Sequence, residues 1–211
     1  MAKPTFQKAA RNFGWLLAER GVRFGLGTIV GFLVARQLGP LRLGALSYCL
    51  AVVTLLQCLA AFGLDALVRR DLLQTPERTA QIMADSVGLR LLGGFAAALA
   101  LLGYLMVSPP RSSEESAIFL ILSLLLWQPA WTVPELWLQA QLHARYAVIA
   151  QTAALAVAAA LRLWLVHADA PLTAFAAANL VESMLAGLGL HLAARRAGLR
   201  INWFSARRES M

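Results

Sequence analysis

The sequence predicts an all-α polytopic membrane protein, a bundle of six transmembrane helices, and three observations carry that prediction. Of 211 residues, 59% are hydrophobic and only 14% are charged, against the roughly 25% charged of an ordinary soluble domain. Mean hydropathy is +0.64. The apolar residues fall into runs of about 20, the length that crosses a hydrocarbon core roughly 30 Å thick. Short charged or proline-bearing segments separate the runs and leave no room for a soluble domain of useful size.

Taken in order, the spans fall at about Gly14–Leu38, Ala45–Phe62, Val87–Val107, Ala117–Trp131, Tyr146–Val166 and Leu172–Ala194. They divide the chain into a cytoplasmic segment 1–13, a transmembrane domain 14–194 and a basic cytoplasmic segment 195–211. The first span follows basic residues, as a signal peptide would, but no small-residue cleavage site follows a short apolar core, so it is expected to be retained. Gly21, Gly25, Gly27 and Gly31 in the first span, Gly93, Gly94 and Ala96–Ala98 in the third and the alanines among residues 153–160 in the fifth are small. Such residues let helix backbones approach closely, so a bundle with several tight crossings is expected. The second span holds Cys49 and Cys58, nine residues apart on roughly opposite helix faces, where they cannot bridge each other and read as packing residues. The fourth is the least regular: Pro129 and Pro134 interrupt it, and Trp127, Trp131 and Trp137 favour an interface, so it is expected to end among them.

The formal charge of +8 would suggest nucleic acid in a soluble protein. Sorted by the six-span topology, however, twelve of the 19 Lys and Arg residues fall on the side of the N-terminus, among them Lys3, Lys8, Arg69, Arg70, Arg78 and Arg145. Three, Arg36, Arg42 and Arg111, fall on the other side, and Arg20, Arg23, Arg90 and Arg162 lie inside spans. The bias places both termini in the cytoplasm. Topology thereby accounts for the basic charge, and no nucleic-acid partner is expected.

Charges within spans cost at least about 2.5–3.5 kcal/mol at the bilayer centre, so they snorkel, pair or serve a pathway. Glu19 and Arg23 stand at i, i+4 in the favourable order, so Glu19 is expected to be the charge partner of Arg23. Arg20 is left over, on the face shared with Gly27 and Gly31, which suits a lined cavity; the alternative is that it snorkels to headgroups. Arg90, near the start of its span, and Arg162, near the far end of its own, could also snorkel. Glu182 is too deep for a short carboxylate to reach either interface, with Asn179 one turn before it. It must be protonated, paired or wet, which makes Glu182 with Asn179 a candidate for ion coupling, or else a structural partner for a cavity arginine. Four embedded arginines against two glutamates imply an aqueous or anionic content. Guanidinium donors suit a phosphate-bearing substrate, so Arg20, Arg23, Arg90 and Arg162 are the substrate-binding candidates.

Enzyme chemistry is not supported. Ser47, Ser86, Ser123 and Ser183 lack the glycine-rich turn and facing histidine of an intramembrane serine protease, and His167 falls at the far surface. Glu114 and Glu115 have no histidine following at metal-ligand spacing, and His143 and His191 read as interfacial residues rather than ligands. No phosphate-cradling glycine loop precedes a lysine. No cofactor and no metal are expected.

The segment FLVARQLGPLRLGALSY, residues 32–48, resembles the connection between the first two spans of the Wzx-type polysaccharide or O-antigen flippases of the multidrug/oligosaccharidyl-lipid/polysaccharide exporter superfamily. FGLDALVRRDLL, residues 62–73, is similar to that family's glycine-leucine-aspartate turn and basic pair, and PELWLQAQLHARYAVIAQ, residues 134–151, to its approach to the fifth span. The resemblance covers nearly the whole chain in order and spacing. It implies one lobe of a two-lobe exporter fold in the inner (cytoplasmic) membrane. The implied activity is alternating-access movement of undecaprenyl-pyrophosphate-linked oligosaccharide between leaflets for surface polysaccharide biosynthesis. The implied partners are that lipid-linked oligosaccharide, the bilayer, and a second half or second copy of the chain. Family members usually have twelve to fourteen spans, so six correspond to an N-terminal half, from a truncated or partial chain before a dimerising half-transporter. The remaining alternatives are a drug or amphiphile exporter of the same superfamily, which would favour acidic cavity residues, and a structural or regulatory membrane protein without transport activity.

Overall fold

The computed structural model describes residues 6–61 and 63–198. Among the described residues the structure is helical, with no strand. The elements are α1 (Phe6–Ala61), α2 (Asp65–Gln74), a 3-10 turn (Pro76–Arg78), α3 (Thr79–Val107), α4 (Ser113–Ser123), a second 3-10 stretch (Leu124–Trp127), α5 (Gln128–Trp131), α6 (Val133–Ala140), α7 (Ala144–His167) and α8 (Leu172–Arg196).

Among the described residues, five helical stretches are long and apolar enough to cross a membrane, not the expected six. The difference lies in α1, whose 56 residues join the first two expected spans. At 1.5 Å per residue a straight helix of that length would run about 84 Å, far beyond one hydrocarbon core. It is broken at Gly39, which has φ 72° and ψ 170° inside an otherwise helical run, a conformation open to glycine and followed by Pro40, which starts the next turn. Residues 6–38 and 40–61 therefore form two limbs, and both contribute walls to the same cavities. At the Gly39 end, Gln37 on the first limb hydrogen-bonds Asp169 in the α7–α8 turn, and the Tyr48 and Tyr104 hydroxyls join the second limb to α3.

The fourth span also departs from expectation. The helical path does not end among the tryptophans but continues to Ala140 as one 28-residue stretch, Ser113–Ala140. Its prolines are accommodated because each sits in the first turn of a new short helix, α5 or α6, where a missing N–H costs little. Without a Pro129 N–H, the Leu125 carbonyl accepts instead from the Gln128 N–H and from Gln57 Nε2 at 2.5 Å. The tryptophans turn inward. Trp127 seats against Gly94 and Trp131 against Gly187, where an added Cβ would stand 2.8 and 2.6 Å from the ring, and Trp137 is buried in the core. Gly187→Ala is accordingly expected to destabilise by about 1–3 kcal/mol through overpacking, and Trp131→Phe in the same chain to recover part of it, as read by thermal unfolding in detergent.

Tight crossings occur there and where Gly189 meets Ala150. The first-span glycines Gly21, Gly25, Gly27 and Gly31 are different, since no other described residue lies within 4 Å of a Cβ built on any of them. α4 is started by Ser112, whose hydroxyl accepts from the Glu115 N–H at 3.1 Å while Glu115 accepts from the Arg111 N–H at 2.7 Å, so Glu115 serves as a capping residue. Buried apolar side chains gather in two clusters, one toward the Gly39 end and one around α2, α6 and the adjacent ends of α3, α7 and α8. Much of the outer surface is large and apolar, including Phe24, Leu41, Leu99, Met106 and Leu120. Such a surface suits lipid rather than water.

Candidate functional site

A cavity of about 630 Å³ lies between the two limbs of α1 and the α5, α6, α7 and α8 helices. Its wall is polar in a chain that is otherwise apolar. The first limb supplies Glu19, Arg20 and Arg23; the second supplies Thr54 and Gln57; Arg69 comes from α2. Gln128, Thr132, Glu135 and Gln139 project from the proline-broken stretch, and Gln151, Asn179, Glu182 and Ser183 from α7 and α8.

The expected Glu19–Arg23 pair forms, at 3.1 Å. Arg23 also donates to Gln151 at 3.3 Å and faces Glu182 at 3.8 Å, so this one guanidinium ties the first limb to α7 and α8. Glu182 is paired, as one of its three options required. Arg162 donates to it at 2.7 Å and to Asn179 Oδ1 at 3.0 Å, and Asn179 returns its own N–H to the Phe175 carbonyl at 2.8 Å. Arg162 therefore turns inward to a carboxylate rather than out to an interface. It lines a second gap of about 190 Å³ together with Gly27 and Gly31, and Leu50 and Asn179 border both gaps. Gly27 and Gly31 thus border that second gap, whereas Arg20, on the same helix face, borders the main cavity.

Arg20 is exposed to the main cavity and has no hydrogen bond or ion pair among the described residues. Arg69 donates to Gln139 at 3.1 Å. Arg90 stands apart from the other candidates. It is 3% exposed, does not line the main cavity, donates to the Pro129 carbonyl at 2.8 Å and pairs with Asp65. It neither snorkels nor meets the other three arginines; it braces the start of α2 against the proline break.

The expected excess of two embedded positive charges also changes, because Asp65 neutralises Arg90 and Glu135 adds a carboxylate to the wall. Among the described residues, three arginines and three glutamates line the main cavity. Glu135 and its neighbours were missed because they follow Trp131, where the span was expected to end. Their spacing held a signal: Gln128, Thr132, Glu135 and Gln139 recur at helical intervals on one face. His143 and His191 take packing roles, the first beside the Trp137 and Tyr146 rings and the second against the Gly187 carbonyl. Among the described residues no group of three metal-ligating side chains gathers.

No curated protein and no solved structure matches the chain. The family model described as polysaccharide biosynthesis protein matches residues 9–210, nearly the full length. Its members are transporters of the Wzx type rather than enzymes. With a polar, arginine-bearing cavity inside a helical bundle clad in apolar side chains, the chain belongs to the polysaccharide biosynthesis family of membrane flippases and exporters.

Proposed function

We propose that the chain is the N-terminal half of a flippase that moves undecaprenyl-pyrophosphate-linked oligosaccharide across the inner (cytoplasmic) membrane, with both termini in the cytoplasm. The observation that carries this reading is Arg20, a guanidinium facing a roomy polar cavity with no partner among the described residues. A permanently charged, bidentate donor left open to a polar cavity suits a phosphate oxygen. In this reading Arg20 receives the pyrophosphate, Arg23 on the same limb ties that wall to α7 and α8, Arg162 borders the neighbouring gap, and Arg90 belongs to the frame. Glu182 and Asn179 form the coupling element, since the Glu182 contacts to Arg23 and Arg162 must loosen if a cation or proton is to take the carboxylate. A second lobe, or a second copy, closes the open side of the cavity.

The test is binding of farnesyl pyrophosphate to the full chain in detergent by native mass spectrometry. Arg20→Ala is expected to weaken binding about tenfold, the lower end of what one charge-assisted hydrogen bond contributes, and Arg20→Lys to recover only part of that loss. Equal binding by all three would sink the assignment. Lysine serving as well as arginine would favour a snorkelling residue.

A further inference from the structure

The balance of the cavity wall bears on which glycans it admits. We propose that Glu135 is a specificity-determining residue that makes the cavity accept lipid-linked sugars that are neutral or carry an amine and disfavour sugars that carry a carboxylate. This rests on the flippase reading and refines it.

A cavity built for acidic sugars would carry spare cations. Here Arg23 is held by Glu19 at 3.1 Å and faces Glu182 at 3.8 Å, and Arg69 is engaged by Gln139. That leaves Arg20, and a pyrophosphate already claims it. Glu135 is the opposite case. Half-buried in α6, it accepts from Gln139 Nε2 at 2.9 Å and makes no ion pair among the described residues. The remaining polar wall consists of side-chain amides and hydroxyls, such as Gln57, Gln128, Thr54 and Thr132. These donate to and accept from sugar hydroxyls, and a carboxylate acceptor adds strong bonds to hydroxyl or ammonium donors. A sugar carboxylate brought against Glu135 meets like charge away from bulk water, and its other recourse is to compete with the pyrophosphate for Arg20. Among the described residues no aromatic ring lines this cavity on which a sugar face could stack, so discrimination falls to hydrogen bonds and charge.

The experiment compares farnesyl pyrophosphate esters of glucose, glucosamine and glucuronic acid, alongside bare farnesyl pyrophosphate, binding to the full chain in detergent by native mass spectrometry. The glucose and glucosamine esters are expected to bind about tenfold more tightly than the glucuronate ester, with Glu135→Gln narrowing the gap to about twofold. Equal binding of the three esters, or tighter binding of the glucuronate, overturns the proposal while the flippase reading stands. If none of the four compounds binds, the flippase reading fails and takes this proposal with it. Should Glu135→Gln not fold, Glu135→Ala takes its place, and a gap left at its wild-type size in the folded variant overturns the role of Glu135.

Discussion

Replacing Asp65 by alanine is expected to cost about 3–5 kcal/mol of stability, the range found when one partner of a buried ion pair is removed. The reason is the burial of its partner rather than its own. Asp65 is about half exposed, with 51% of its side chain accessible, whereas the Arg90 side chain is 4% accessible. Without Asp65 the guanidinium keeps, among the described residues, only the Pro129 carbonyl at 2.8 Å, and its Nε is already buried without a partner there. Removing the arginine is a different change. Arg90→Met fills similar volume, abolishes the buried charge and leaves a carboxylate that reaches solvent, so its cost is expected to be smaller, about 1–2 kcal/mol. The double replacement should be no worse than Arg90→Met alone. Thermal unfolding of the four proteins in one detergent checks this order. If Arg90→Met proved more damaging than Asp65→Ala, Arg90 would matter chiefly through its bonds, not through a charge that must be neutralised.

That brace shows where a sequence stops being legible. The last two apolar runs are placed to within a few residues, as the α7 and α8 boundaries show against the expected Tyr146–Val166 and Leu172–Ala194, whereas α3 starts at Thr79, eight residues before the expected Val87. The Glu19–Arg23 pair is equally local, since helical spacing alone brings the two together. Arg90 and Asp65 are 25 positions apart across a turn, and nothing in either segment names the other. Proline carried a misleading message in the fourth span. Its helix-breaking tendency points to an end, but two prolines each placed at the start of a short new helix preserve the helical path. The same local reading mistook Trp127 and Trp131 for interfacial residues, because the glycines that receive them, Gly94 and Gly187, lie on α3 and α8. The cavity wall inherits these errors. Its first-limb residues were found from spacing, whereas Glu135 and the amides around it depend on a tertiary path that spacing alone does not reveal.

Glu182 offers the other large effect, because its replacement should move stability and binding in opposite directions. Its two oxygens face two arginines from different elements, Arg162 at 2.7 Å and Arg23 at 3.8 Å, and its side chain is 20% accessible. Glu182→Ala leaves Arg162 with Asn179 alone and is expected to destabilise the chain by about 3 kcal/mol, the lower end of the range for breaking a buried pair because some water reaches the site. Glu182→Gln keeps a hydrogen-bond acceptor for Arg162 and should cost less, about 1–2 kcal/mol. Both changes remove a negative charge from a wall where arginines and glutamates are otherwise equal in number. Arg23 is then held by Glu19 and Gln151 only, and the cavity gains a net positive charge. Farnesyl pyrophosphate should therefore bind Glu182→Gln a few-fold more tightly than it binds wild type, with the gain shrinking as salt is added. A glutamate whose only work is to hold α7 and α8 together would lower stability and leave phosphate binding where it was. Tighter binding by a less stable protein would place Glu182 in competition with the substrate for Arg23, the exchange that coupling through this carboxylate requires.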